Sequence, residues 1–258
     1  TVMGTPGRPG AYTQLDLSSG FVGQLYYYSD GSANMGYEPP QLTWHQTQTV
    51  SPPNSLTWYN FGGSCIMSRN GLYCVVGTHE RSTSYTSYNA VYEYANGSWS
   101  LKGSVISEPS NQYSYPLDVW ISNDGTHIAT KYAGTSSSTS GYVRIYEYIS
   151  GDWTQKGSTV SQSSRFGAYL SMSDDGNTFA CSDTSSSGSN PPIYVYDYNG
   201  NSWGLRGGTS VSVTGYTIRG GTCCISSDGL RLAAMHRSGS GATDGYVVDW
   251  NSSTQTWS

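Results

Sequence analysis

The chain has 258 residues, of which 11% are charged, against roughly 25% in an ordinary soluble domain. Its 12 Lys and Arg against 17 Asp and Glu leave a net charge of −5, which argues against a broad phosphate-binding surface and a nucleic-acid partner. No apolar run approaches the ~20 residues of a membrane span, and 14% aromatic residues are too many for a disordered Ser/Gly tract.

Instead of charge the sequence carries 23 Tyr, 8 Trp and 32 Gly, a composition that points to an all-β protein with long polar loops. The start, Thr1-Val2-Met3-Gly4, lacks the features of a signal peptide and reads as that of a processed or excised chain. Two markers then define a repeat. Trp44, Trp99, Trp153, Trp203 and Trp257 return every 50–55 residues. A Ser-x-Asp/Asn-Gly turn keeps similar time. It runs from a degenerate Leu17-Ser18-Ser19-Gly20 through turns ending at Gly71, Gly125, Gly176 and Gly229. The units fall at about 1–44, 45–99, 100–153, 154–203 and 204–258 of a single 1–258 domain.

Each unit predicts four short strands. In the fourth unit the first strand covers 166–172, an Asp-Gly turn follows, and the second strand starts at Thr178. After a Ser/Gly-rich loop the third strand covers 193–198, and the fourth starts at the marker Trp203. The same order predicts third strands over 90–94 and 142–148, and continuous fourth strands over 99–105 and 153–160. Asn-Gly and Asp-Gly pairs predict type I′ turns, in which both central residues take positive φ. One such sheet cannot bury both faces alone, whereas radial stacking covers each sheet with its neighbours. The expectation is a five-bladed β-propeller of four-stranded antiparallel blades. Trp257-Ser258 starts a fourth strand and stops, while Arg8-Pro9-Gly10-Ala11-Tyr12 resembles Arg165-Phe166-Gly167-Ala168-Tyr169. The N- and C-terminal segments are therefore expected to share one blade and close the ring.

The succession Phe-Gly, Ser-x-Asp-Gly, Tyr-x-Tyr-x-x-Gly-x-Trp resembles the FG-GAP-like repeats of integrin-type propellers. Phe-Gly itself stands at Phe61-Gly62 and Phe166-Gly167, and is replaced by Pro9-Gly10, Pro116-Leu117 and Gly220-Gly221 elsewhere. Ring size and composition are also similar to five-bladed tachylectin-like lectins. The resemblance implies an extracellular or surface-exposed protein. The acidic calcium loop of the integrin type is shortened here to a two-residue turn, so no cofactor is expected, with calcium as the alternative that the resemblance leaves open. Five Cys without a Cys-x-x-Cys pair read as small buried core thiols. Asn96-Gly97-Ser98 and Asn251-Ser252-Ser253 are glycosylation sequons.

Antiparallel order places the tight turns at one end and the long connections at the other. The long set comprises 79–89, 134–140, 183–191 and 236–244, with crossings at 52–60, 108–115, 161–165 and 212–218. Their Tyr/Ser/Gly/Asn chemistry is that of a paratope, with rigid Tyr for contact area and adaptable polar groups around it. The candidate binding residues on this face are Trp58, Tyr59, His79, Arg81, Tyr85, Tyr88, Tyr113, Tyr115, Tyr132, Arg165, Tyr216, Arg219, His236 and Arg237.

These features predict a non-catalytic binding or assembly module. Its partner is a protein or a glycan, within a larger surface, filament or virion assembly. A lectin with sites between blades is the alternative reading. A five-bladed glycosidase would need two paired carboxylates, drawn from Glu80, Glu108, Asp118, Asp183 and Asp244. Nothing in the spacing pairs any two of them, so no enzyme is expected. His45, His79, His127 and His236 are isolated in sequence, which gives no metal site. The turn geometry alone accounts for Asp124, Asp175 and Asp228.

Overall fold

Short runs of Val, Ile, Ala and Tyr send successive side chains to opposite faces of an extended strand. In the computed structural model this alternation fills two cores at once in the strands that hold Val75-Val76, Ala90-Val91, Ile128-Ala129, Ile145-Tyr146, Phe179-Ala180 and Val195-Tyr196. The structure describes residues 2–3, 12–13, 48–53, 61–77, 86–109, 119–132, 141–162, 166–183, 192–213, 216–217, 222–237 and 243–258. Contacts divide the chain into Thr1–Gln46 and Thr47–Ser258. In the first unit β1 (Val2–Met3) pairs antiparallel with β2 (Tyr12–Thr13). The remaining calls on residues 1–46 lie outside the described residues.

The second unit holds four consecutive antiparallel sheets. The first comprises β3 (Ser64–Met67), β4 (Tyr73–Gly77), β5 (Thr86–Ala95) and β6 (Ser98–Leu101), with β7 (Ile106–Pro109) also on β5. The second comprises β8 (Val119–Ile121), β9 (His127–Tyr132), β10 (Tyr142–Ile149) and β11 (Asp152–Gln155), with β12 (Val160–Ser161) also on β10. The third is β13 (Phe166–Met172), β14 (Thr178–Asp183), β15 (Ile193–Tyr198) and β16 (Trp203–Leu205). A hairpin of β17 (Ser212–Val213) and β18 (Tyr216–Thr217) follows. The fourth sheet is β19 (Cys223–Ile225), β20 (Arg231–Arg237), β21 (Thr243–Asn251) and β22 (Thr256–Trp257).

Each sheet packs on the next. Val75 and Val91 of the first sheet meet Val119, Ile121 and Ile128 of the second. Ala129, Val143 and Ile145 meet Phe166, Met172 and Phe179 of the third. Ala180, Ile193 and Val195 meet Cys223, Ile225, Leu232 and Val248 of the fourth. Adjacent residues thus feed adjacent cores, with Ile128 serving one junction and Ala129 the next. Each fully buried Val, Leu, Ile or Phe contributes about 1.5–3 kcal/mol relative to exposure. The two outermost faces are more open, with Met67 56% and Val247 66% exposed.

The turns joining first to second strands converge. Asn70 N–H donates to Asn123 Oδ1 at 2.8 Å, and Asp174 N–H donates to Ser227 O at 2.9 Å. Arg69 reaches past the second sheet to Asp174 of the third, at 3.0 Å. An exposed pair of this kind adds little stability, but a linear stack would hold those two turns far apart. The sheets therefore radiate from a common axis, as propeller blades do.

Three expectations are corrected. In the described Ser-x-Asp/Asn-Gly turns only the Gly has positive φ, as at Gly71 (+73°) and Gly125 (+64°). The Gly N–H donates to the Ser carbonyl three residues back, at 2.9 Å in Gly71 and 3.1 Å in Gly125. These are type I turns ending in a left-handed Gly, with the Asn or Asp side chain bracing the turn. The type I′ pattern occurs instead between third and fourth strands, where Asn96 (+52°) and Gly97 (+81°), or Ser150 (+55°) and Gly151 (+90°), both turn positive. The fourth strands are also not continuous. Lys102-Gly103-Ser104 breaks one into β6 and β7, because Gly103 takes φ +71° and pivots the chain. Of the thiols, Cys181 and Cys223 are buried, whereas Cys65 and Cys224 are exposed.

A Cβ on Gly125 would lie 2.3 Å from the Tyr73 ring, whereas one on Gly97 would meet nothing within 4 Å. Both carry positive φ. Gly97→Ala is expected to lose only the backbone cost of about 1 kcal/mol. Gly125→Ala should lose clearly more, and urea unfolding of the two variants checks the difference.

Candidate functional site

Among the predicted site residues, Trp58, Tyr59, His79, Arg81, Tyr85, Tyr113, Tyr115, Arg165 and Arg219 lie outside the described residues. The backbones of Tyr132, Tyr216, His236 and Arg237 lie in β9, β18 and β20. Tyr132 pairs with Tyr142, and His236 with Asp244, at the long-loop ends of their sheets. The Tyr88 side chain packs on the cluster of Val76, Ala90 and Tyr92. Of the carboxylates considered for catalysis, Glu80 and Asp118 lie outside the described residues, and Asp183 and Asp244 are placed as strand backbone. Glu108 is fully described and lies in a cluster.

That cluster occupies the long-loop end of the junction between the first and second sheets. β7 pairs alongside the start of β5, with Ser87 opposite Glu108 and Asn89 opposite Ile106. This register sends Glu108 into the junction, where its side chain is 1% exposed. Thr130 Oγ1 donates to Glu108 Oε1 at 2.8 Å, and Tyr146 O–H donates to the same oxygen at 2.7 Å. The Arg144 guanidinium donates to Oε2, and its Nε donates to Thr159 Oγ1 at 3.0 Å. The guanidinium also lies 4.5 Å from the centre of the Tyr142 ring. Burial, followed by the Glu108 charge, pushes the Tyr146 hydroxyl well above its ordinary value of 10.0. Tyr146 therefore stays protonated and remains a donor. Both carboxylate oxygens are paired, which is what a buried charge requires.

The same tyrosine position makes a related bond on the outer face of the first sheet and at the junction of the second and third sheets. Tyr92 O–H donates to Ser51 O at 2.9 Å, and Gln162 Nε2 donates to the Tyr196 oxygen. Glu108 is the charged version of a repeated clasp between a third strand and the segment that leads into its own sheet. Sequence reasoning flagged Glu108 only as one carboxylate of a list. It missed Arg144 and Thr130, whose strand positions read as ordinary alternation.

The tight-turn end is built from a different repeat. After each broken fourth strand a cation enters the junction, and it is Lys102, Lys156 or Arg206 in turn. Arg206 donates to Asp197 and, at 2.5 Å, to the Gly229 carbonyl. Lys102 lies 4.4 Å from the centre of the Tyr148 ring, and Lys156 lies 5.0 Å from that of Tyr198. The Lys102 carbonyl accepts from Trp153 Nε1 at 2.8 Å, and the Lys156 carbonyl from Trp203 Nε1 at 2.9 Å. Each of these Trp also packs on the second Tyr of its Tyr-x-Tyr strand, with ring centres 5.1 Å and 5.2 Å apart. The marker Trp residues are thereby committed to packing.

Where the other junctions place Tyr73 or Thr178, the middle one places His127. Thr126 spends its hydroxyl proton on Asp124 Oδ1 at 2.7 Å, so His127 Nδ1, 2.9 Å from Thr126 Oγ1, carries the ring proton. His127 Nε2 then accepts from Lys156 Nζ at 3.0 Å, while Lys156 also donates to Asn177 Oδ1 at 2.8 Å. Glu147 Oε1 stands 3.2 Å from Nε2. Burial, with the Lys156 ammonium next, holds His127 below its usual 6.5, against the opposing pull of Glu147 and Asp124. Among the described residues no group of three His, Cys, Asp or Glu could hold a metal ion.

No family model and no curated protein sequence matches the chain. Solved structures of similar form include a candidate 6-phosphogluconolactonase from Bacteroides uniformis. It is 17% identical over 76% of this chain and 52% of its own, with TM-score 0.46. The periplasmic gluconolactonase of Pseudomonas aeruginosa is 20% identical over 69% and 50% of the two chains, with TM-score 0.42. TolB from Acinetobacter baumannii is 15% identical over 79% and 43%, with TM-score 0.41. The chain spans about half the length of these proteins. Likeness this distant carries no substrate or activity to this chain. It does correct one expectation. Chains of similar form bear lactonase names, so the expectation that this protein is not an enzyme is withdrawn.

The lowered His127 value has a definite sign. In the unfolded chain His127 takes up a proton near pH 6.5, whereas the folded site resists it until lower pH. The unfolded state then binds more protons, so stability falls as pH drops through that window. His127→Thr, which copies Thr178 of the next junction, should flatten the change in urea midpoint between pH 7.5 and 5.5. An unchanged pH dependence would remove His127 as its source.

Proposed function

We propose that this protein is a five-bladed propeller that recognises a protein or glycan through its long-loop end, in an extracellular or surface-exposed setting. The observation that carries this reading is the division between the two ends of the sheets. At the tight-turn end the described turns bond to one another, and Lys102, Lys156 and Arg206 are held in the junctions. The long connections that differ from unit to unit all leave from the other end. The buried polar cluster of Glu108 and Arg144 also lies there. Trp58, Tyr59, His79, Arg81, Tyr113, Tyr115, Arg165 and Arg219 are the side chains proposed to meet the partner, with Tyr85, Tyr132, Tyr216, His236 and Arg237 beside them. The likeness to FG-GAP-type repeats supports the surface setting. A polar site between two blades favours the glycan form.

Four described sheets and one further unit of matching length support the count of five, with residues 1–46 supplying the remaining blade and the terminal segments closing it. Val247→Asp tests that count. Covered by a fifth blade, the new carboxylate lowers Tm by several degrees; on an open face it leaves Tm within about 2 °C.

A glycan array and a chemical cross-linking capture test the recognition reading, with product analysis of any bound sugar reporting turnover. Trp58→Ala with Tyr59→Ala, and separately Arg81→Ala, are expected to weaken capture by tenfold or more, about 1.4 kcal/mol. Retained capture in these variants, together with its loss in Arg69→Ala at the turn end, would put the binding surface at the wrong end of the propeller.

A further inference from the structure

The junction that holds Glu108 also contains a polar group with no partner. Asn89 on β5 is fully buried, and neither its Nδ2 nor its Oδ1 has a hydrogen-bond partner. On β3, Ser64 Oγ is buried and equally without one. Gly77 pairs with Ser64 on one side and with Asn89 on the other, so the three stand in one row across the first sheet. Ser64 Oγ lies 2.4 Å, and Asn89 Oδ1 3.0 Å, from the point where a Gly77 Cβ would sit. Two polar tips therefore converge over the one residue of the row that has no side chain. Val119 of the second sheet closes the space at 3.7 Å from the same point.

The repeat makes this placement unusual. Counting back from the Tyr-x-Tyr acid, Asn89 stands four residues before Glu93, as Val143 does before Glu147 and Ile193 before Asp197. Val143 and Ile193 are both fully buried apolar side chains. The first sheet thus carries a primary amide where the second and third sheets carry hydrocarbon and the fourth carries Gly245. A buried amide left unpaired costs far more than the hydrocarbon it replaces, so its presence is accounted for by something that bonds to it.

We propose that Ser64, Gly77 and Asn89 form a binding niche for one neutral hydroxyl group, between the first and second sheets near their long-loop end. The chemistry selects that class. An amide offers donors and an acceptor side by side, and a serine hydroxyl offers one of each. A hydroxyl can answer both, since it donates to one oxygen and accepts from Nδ2. No charge is called for in the niche, because the nearby Glu108 and Arg144 neutralise each other. The hydroxyl belongs either to an enclosed water, which needs two to four polar partners, or to a polyol that enters from the long-loop end. The polyol source rests on the recognition reading above, and the water source does not.

Asn89→Val restores the side chain used in the second sheet, and Ser64→Ala removes the other partner while leaving the backbone unchanged. The probes are glucose, galactose and N-acetylglucosamine at millimolar concentration, read by thermal unfolding, and a high-resolution crystal structure of the unliganded protein. A saturable rise in Tm with one of these sugars, lost in Asn89→Val and weakened in Ser64→Ala, assigns the niche to a ligand hydroxyl. No response to sugar, with one ordered water bonded to Asn89 and Ser64 in the crystal, assigns it to water; the niche then stands and only its polyol source fails. A dry niche in the crystal, with Asn89→Val more stable than the parent and no sugar response, overturns the proposal.

Discussion

A four-stranded sheet with apolar side chains on both faces has no stable existence alone, and this requirement organises the second unit of the chain. In β9, Ile128 faces the first sheet and Ala129 the third. In β14, Phe179 faces the second sheet and Ala180 the fourth. No sheet can be moved by one residue in register without exchanging its two cores, because the side-chain period is two. Radial packing then crowds the first strands towards an axis, and the turns at their ends meet. The Arg69–Asp174 contact follows from that convergence.

Much of this arrangement is legible in the sequence because packing between repeats forces like residues into like positions. Each described marker Trp packs on an aromatic ring of its third strand, Tyr94, Tyr148, Tyr198 or Trp250, so both recur. The Gly of Lys102-Gly103 must clear Tyr148 and Trp153, from which a Cβ would be 3.0 Å and 2.9 Å. What escaped reading was local conformation. An Asn-Gly pair does not reveal which of its residues turns left-handed. At Asn70-Gly71 the Asn side chain is held by Ser68 and by the Leu72 N–H, and only the Gly turns. At Asn96-Gly97 both do. A Lys-Gly step inside a predicted strand likewise gives no warning that the strand will break there.

Function is harder to read for a related reason. The repeat is informative where each sheet meets its neighbour, and the long loops are free of that constraint. Tyr88, offered as a binding residue, packs on Val76, Ala90 and Tyr92, because its place at the start of β5 still belongs to the repeat. Tyr132, Tyr216, His236 and Arg237 also fall in strands, whereas the other candidates fall in stretches of sequence that do not repeat from unit to unit. Composition alone identified them, and composition cannot separate a residue that meets a partner from one that folds back on its own loop.

Departures from the repeat in the described strands carry a different kind of information. A residue that differs at a loop position costs nothing, whereas one that differs at a packed position must be accommodated by its surroundings. Glu108 stands where the outer face of the first sheet uses the Ser51 carbonyl and the next junction uses Gln162, and the protein supplies Arg144, Thr130 and Tyr146 to hold its charge. His127 stands in for Tyr73 and Thr178, and Lys156 and Asn177 rearrange around its lone pair. Asn89 stands in for Val143 and Ile193, yet no side chain answers it. The first two substitutions are complete within the chain. The third leaves its bonds for something from outside, and it does so in the junction that already carries the only buried carboxylate clasp among those described.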